Sequence, residues 1–139
     1  MEYSKIIAIT GKTGLYEAIS QTKNGFVVES LADKKRFPIA TTNNVSLIEN
    51  IAIFTYEEEI PILDVFKSIY EKEEGKKTLS HKESGYKLTT YFSEVLPNFD
   101  EDKVYVSNIK KVIQWYNILV EAGLDFSIIS SEEEATKED

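Results

Sequence analysis

Cysteine is absent from the 139-residue chain, and His81 is its only histidine. The first absence excludes a disulfide framework, thiolate chemistry and any cysteine-built zinc site, and it fits a reducing compartment. The second leaves a transition-metal site without a paired imidazole. A Ser-His-Asp assembly would also have to recruit His81 from a polar segment, where the rigid positioning that such catalysis needs is poor. His81 therefore reads as an exposed linker residue. No apolar run approaches the roughly twenty residues needed to cross a bilayer. Met1 to Ser4 lacks the basic start of a secretory signal, and Ile6 to Ile9 is too short for a signal core. The expected location is cytoplasmic, with no membrane partner.

Positive charge is also scarce: 16 basic residues face 24 acidic ones, for a net charge of −8. Up to Ile62 six basic residues face eight acidic ones, and beyond it ten face sixteen, so the second half is the acidic one. Nucleic-acid binding draws its affinity from neutralising phosphates, so a chain with a pI of about 4.8 is disfavoured for it unless a local basic patch is present. The same balance argues against anionic lipid.

What is present is enough apolar material, 42% of residues, for one core: one domain, or two small lobes sharing an interface. The first half alternates short apolar stretches with turn chemistry, the pattern of successive antiparallel strands. These stretches are Ile6 to Thr10, Leu15 to Gln21, Phe26 to Ser30, Arg36 to Ala40, Val45 to Ile48 and Ile51 to Tyr56. Asn24-Gly25 is expected to supply the positive φ angles of a tight hairpin, and Pro38 suggests an edge strand. With no helix between them, these strands predict a small antiparallel SH3-like β-barrel, whose closure would hide two edges.

After Pro61 the period lengthens to that of a helix. Ile62, Phe66, Ile69 and Tyr70 line one face of a first helix that Gly75 stops; Leu88, Tyr91, Phe92, Val95 and Leu96 line a second that Pro97 ends. Ser107 is expected to cap a third, with Ile109, Val112, Ile113, Tyr116, Leu119 and Val120 on its apolar face and Gly123 at its end. The fold class is thus α+β: a barrel over 1–60, a connecting helix over 61–75, a linker over 76–86, a helical hairpin over 87–125 and a disordered acidic tail over 126–139. The two halves share no repeat.

Gly11-Lys12-Thr13 resembles the end of a P-loop, but the first glycine of that motif is replaced by Ile6 and no helix follows, so it reads as a turn. Glu57-Glu58-Glu59 and Asp100-Glu101-Asp102 lack the spaced ligands of a calcium loop, and adjacent exposed carboxylates have little reason to acquire separated pKa values; solvated turns explain them better. Lys34-Lys35-Arg36, joined by Lys12 and Lys23 if those turns share a rim, is the one concentration of positive charge. Trp115 lies off the apolar stripe of the third helix and suits an interface anchor. Lys12, Lys34, Lys35, Arg36 and Trp115 are therefore the candidate macromolecule-binding residues.

Three stretches carry a family resemblance: Ile7 to Tyr16, Val28 to Pro38, and Tyr91 to Leu119 through Val104-Tyr105 and Trp115-Tyr116. They resemble an uncharacterised protein family of Bacteroidota, catalogued as a domain of unknown function. The resemblance implies a bacterial cytosolic setting and the same two-part layout; it assigns no reaction, cofactor or residue role. The expected function is a non-catalytic interaction module with a protein partner and no cofactor. The alternatives are a nucleic-acid or ribosome-associated factor using the basic rim, and an enzyme whose site the sequence does not display.

Overall fold

The computed structural model describes residues 5–10, 12, 14–40, 44–124 and 126. Strands β1 (Ile6–Ile9), β2 (Tyr16–Thr22), β3 (Gly25–Ser30), β4 (Arg36–Ala40) and β5 (Val45–Leu47) form one antiparallel sheet in the order β4-β3-β2-β1-β5. The chain thus meanders outward to β4 and then returns, so that β5 lies along the free side of β1, with Ile7 opposite Leu47 and Ile9 opposite Val45. A 3-10 turn, Ile48–Asn50, leads into a separate ribbon of β6 (Ala52–Phe54) and β7 (Glu59–Pro61). Helices α1 (Ile62–Lys72), α2 (Gly85–Val95) and α3 (Val106–Ala122) complete the α+β architecture.

The closed barrel expected from the strand count is not formed among the described residues: β4 and β5 are not hydrogen-bonded to each other, and the sheet stays open. β4 carries Pro38, which has no N–H to offer a further strand, and β5 is only three residues long. The short ribbon was missed because Glu59–Pro61 reads as an acidic turn plus a helix start. Its register, Ile53 opposite Ile60, is held by Thr55, whose hydroxyl donates to the Glu58 carbonyl at 2.5 Å and accepts the Glu58 N–H at 2.9 Å.

Alternation along the strands divides the apolar residues between two faces. Ile6, Leu15 and Leu31 point toward the helices and join Phe66, Ile69, Leu88, Phe92, Ile113 and Tyr116 in the main core. Ile7, Ile9, Tyr16, Val28 and Ile39 form a second cluster on the other face, joined by Phe26, Phe37 and Val45, so that all five strands contribute to it. The β2–β3 turn departs from expectation, because neither Asn24 nor Gly25 adopts a positive φ. Gly25 instead opens β3 opposite Thr22, where a Cβ would lie 1.9 Å from the Ile39 carbonyl oxygen; its value is close approach.

In the helical half Pro61 precedes α1, and Ser84 caps α2 by accepting the Lys87 N–H at 3.2 Å. α3 is capped at Tyr105 rather than at Ser107: the Tyr105 N–H donates to Asn108 Oδ1 at 2.8 Å, which places Ser107 inside the first turn. Gly123 ends α3 at φ +84°, a left-handed cap as expected.

Segment 76–86, expected as a linker, is pinned over its first residues. Tyr116 donates its hydroxyl to the Lys76 carbonyl at 2.7 Å, and Asn117 brackets the chain by accepting the Thr78 N–H at 2.8 Å and donating to the Leu79 carbonyl at 3.1 Å. Phe126, placed by the sequence at the head of a disordered tail, is buried and stacks on Tyr70 with ring centroids 4.5 Å apart. Gly11 and Thr13 of the glycine-flanked stretch, residues 41–43 and residues 127–139 of the acidic tail lie outside the described residues. No described helix is long and apolar enough to cross a membrane.

Candidate functional site

The apolar stripe of α3 is consumed by the main core, and the neighbouring face of the helix looks toward the β1–β5 side of the sheet. There the register sets Ala8 opposite Ser46, two small side chains on the same face. They leave room that Trp115, half-buried, does not fill. Two depressions result, of about 420 and about 310 Å3, and both are walled by Ser46, Ile51, Lys111 and Trp115, so they form one groove. One end opens at Thr10, Lys12 and Gly14 of the β1–β2 turn; the other reaches Phe54, Lys103 and Asn108.

The electrostatics of this groove depart from those of the molecule. No described residue lining it is acidic, whereas three lysines, Lys12, Lys103 and Lys111, line it. The Lys12 ammonium sits 5.1 Å from the centre of the Phe37 ring and the Lys103 ammonium 5.2 Å from that of Phe54. Neither they nor Lys111 pairs with a described carboxylate, whereas Arg36, Lys72, Lys77 and Lys87 each do. An aromatic face offsets part of an ammonium's charge without neutralising it, so Lys103, over the groove-lining Phe54, keeps its charge beside the apolar walls, as does Lys12, whose ammonium reaches Phe37 on the sheet's other face. Exposed Glu49, Glu57, Glu58, Glu59, Glu101 and Asp102 flank the lining residues in sequence.

Of the residues singled out from sequence, the structure therefore brings Lys12 and Trp115 together. Lys34, Lys35 and Arg36 do not line the groove; they lie on the β3–β4 turn, at the same end of the sheet as Lys12, whose ammonium rests on the Phe37 ring beside Arg36, and of the three only Arg36 has an ion pair with a described carboxylate. Arg36 Nε lies 3.0 Å from Glu29 Oε2 across the strand pair. Asp33 accepts the Lys35 N–H at 3.1 Å, and that bond holds its carboxyl below the usual range. Lys23, on the β2–β3 turn, is at the opposite end of the sheet from the β1–β2 and β3–β4 turns, so no single rim gathers Lys12, Lys23 and Lys34.

The groove residues missed from sequence are Lys103, Lys111 and Phe54. One signal was present: Lys111 and Trp115 are one helical turn apart and share a face. His81 is half-buried rather than exposed, beside Ser80, Lys77 and Asn117 in a third depression of about 460 Å3. Both acidic clusters are structural turns: Glu57 accepts from Asn98 Nδ2 at 2.9 Å, and Asp100, nearly buried, accepts the Asp102 N–H at 2.9 Å. Among the described residues no three of His, Cys, Asp and Glu are placed to hold a metal.

Two family models divide the chain. Residues 4–48 match one described as Domain of unknown function (DUF5606), and residues 51–119 match one described as Domain of unknown function (DUF6852). They meet inside the 3-10 turn that joins the sheet to the ribbon. A solution NMR structure from Bacteroides vulgatus, a Northeast Structural Genomics Consortium target, is 43% identical over 90% of this chain and 91% of that one, with a TM-score of 0.74. No curated protein matches the chain.

Proposed function

The chain belongs to the Bacteroidota family that joins these two domains of unknown function, and from that premise we propose that it is a non-catalytic interaction module whose docking surface is the groove between the sheet and α3. The observation that carries this reading is the juxtaposition of Trp115 with Lys12, Lys103 and Lys111 in a groove with no carboxylate among its described lining residues, on a molecule with excess negative charge. An aromatic side chain half-sunk among apolar walls offers area to a partner at little entropic cost, and cations around it that pair with no described carboxylate select the partner by charge. The groove also spans the seam between the two family models: Lys12 and Ser46 come from one, and Lys103, Lys111 and Trp115 from the other.

The sheet half is, in this reading, a partly open SH3-like barrel serving as one wall of the groove. The return of β5 to β1 and the full burial of Val28, on the face away from the helices, support it, because a flat five-stranded sheet would leave that side chain in water. The hairpin with Lys34, Lys35 and Arg36 is the weaker candidate surface, since Glu29 and Asp33 stand among its cations.

The test is a photocrosslinking residue installed at Gln114, which lines the groove, compared with one at Lys34. Protein adducts from position 114 that disappear on Trp115→Ala or Lys111→Glu are the expected result. Nuclease-sensitive adducts from position 34 alone would move the binding surface to the hairpin and overturn the assignment.

A further inference from the structure

Building on the docking reading, we infer that the groove takes a short acidic peptide segment from a partner, with one aromatic or aliphatic residue packed on Trp115 and carboxylates beside Lys111 and at both ends, near Lys12 and Lys103. Lys12 belongs only to one depression and Lys103 only to the other, while Lys111 and Trp115 wall both, so the cations are strung along the groove. An anion there meets ammonium groups that no described carboxylate has neutralised. The apolar walls, Ile51 and Phe54 among them, reward a side chain that leaves water beside those charges.

The surroundings decide against a long polyanion. Past Phe54 the chain turns through Glu57, Glu58 and Glu59, and Lys103 follows Glu101 and Asp102, all exposed. A nucleic-acid strand entering the groove would run onto these carboxylates, and the few phosphates that three lysines can neutralise release few counterions. A short acidic segment ends before it reaches them. Its binding is steered by charge and weakened by salt, while the contact with Trp115 fixes its register.

Trp115 is the only tryptophan, so its emission reports on the groove directly. The probe is a capped synthetic peptide, Glu-Asp-Phe-Glu-Asp-Leu-Glu, titrated into the full chain. The expected result is a saturable shift in emission that weakens about tenfold with Lys111→Glu, about tenfold when serine replaces both apolar residues of the peptide, and less than about twofold with Lys34→Glu. Binding by a thymidine oligonucleotide but not by the peptide would overturn the inference in favour of nucleic acid. Saturation seen only in a full chain carrying Glu132→Gln, Glu133→Gln and Glu134→Gln would overturn it by giving the groove to the chain's own acidic segment. If the peptide fails while the photoprobe at Gln114 still yields groove-dependent protein adducts, the acidic-segment inference falls and the module stands; if both fail, both fall.

Discussion

The two faces of the N-terminal sheet are buried by different means. On one, Ile6, Leu15 and Leu31 meet residues of all three helices, so the main core joins the two family-defined halves. On the other, Ile7, Ile9, Tyr16, Val28 and Ile39 pack, among the described residues, with Phe26, Phe37 and Val45 of the same sheet, with an edge-to-face contact of Tyr16 and Phe37 at 5.6 Å. The first core spans both halves and is expected to make them one cooperative unit, whereas among the described residues the second draws on the sheet alone. The groove lies where the two meet, along the β1–β5 side, which fits a surface that only the joined halves can build.

The largest effect is expected in the shared core. Phe66 is fully buried on α1, and Phe66→Ala should cost about 3–5 kcal/mol, lowering the stability of sheet and helices together. Urea unfolding followed by circular dichroism and by Trp115 emission should give coincident transitions. Two separated transitions would break the comparison by showing that the halves unfold independently.

Alkaline pH attacks the same core from the α3 side. Tyr116 is fully buried, and desolvation, with Glu73 and Tyr70 nearby, pushes its hydroxyl from 10.0 up to about 12; burial and a 2.5 Å bond to Glu73 also raise that of Tyr91. In both residues the folded state favours the neutral phenol, so this stability is intact below the unfolded pKa near 10 and is lost as pH rises through the folded one. For Tyr116 the loss is roughly 3 kcal/mol. Urea midpoints should be flat in pH up to about 9 and fall steeply beyond about 10. Tyr116→Phe should flatten that fall while lowering the midpoint at neutral pH, because the Lys76 carbonyl loses its donor.

The second core should respond less and more locally. Val28→Ala is expected to cost about 2 kcal/mol and to speed hydrogen exchange in β2, β3 and β4 more than in α2 or α3. Equal acceleration in the helices would mean that the second cluster is coupled to the whole fold.

The same division separates what could be read in the sequence from what could not. The α2 and α3 stripes were legible because helical period is local, as were the strands of the sheet and the Gly123 cap. The ribbon escaped because Glu59-Ile60-Pro61 shows no alternation by itself; only pairing with Ala52–Phe54 makes it a strand. Segment 76–79 looked loose because its partners, Tyr116 and Asn117, are distant in sequence. The groove was half legible for the same reason. Lys12 and Trp115 stood out as residue types, but what joins them is the long-range placement of α3 over Ala8 and Ser46.

The smallest expected effect lies at the Glu29–Arg36 pair, on the face of β3 and β4 opposite Val28 and Phe37. Its atoms are 3.0 Å apart and the residues are direct cross-strand partners, geometry that would make it look important to the β3–β4 hairpin. Arg36 is nonetheless 63% exposed, so water screens the attraction and the long side chain loses entropy when held in place. Arg36→Ala should shift stability by no more than about 0.5 kcal/mol, with the difference shrinking as salt is added. A loss near that of Val28→Ala would mean that the hairpin is held by its charges rather than by the apolar cluster on its other face, and the turn carrying Lys34 and Lys35 would then regain its standing as a built surface.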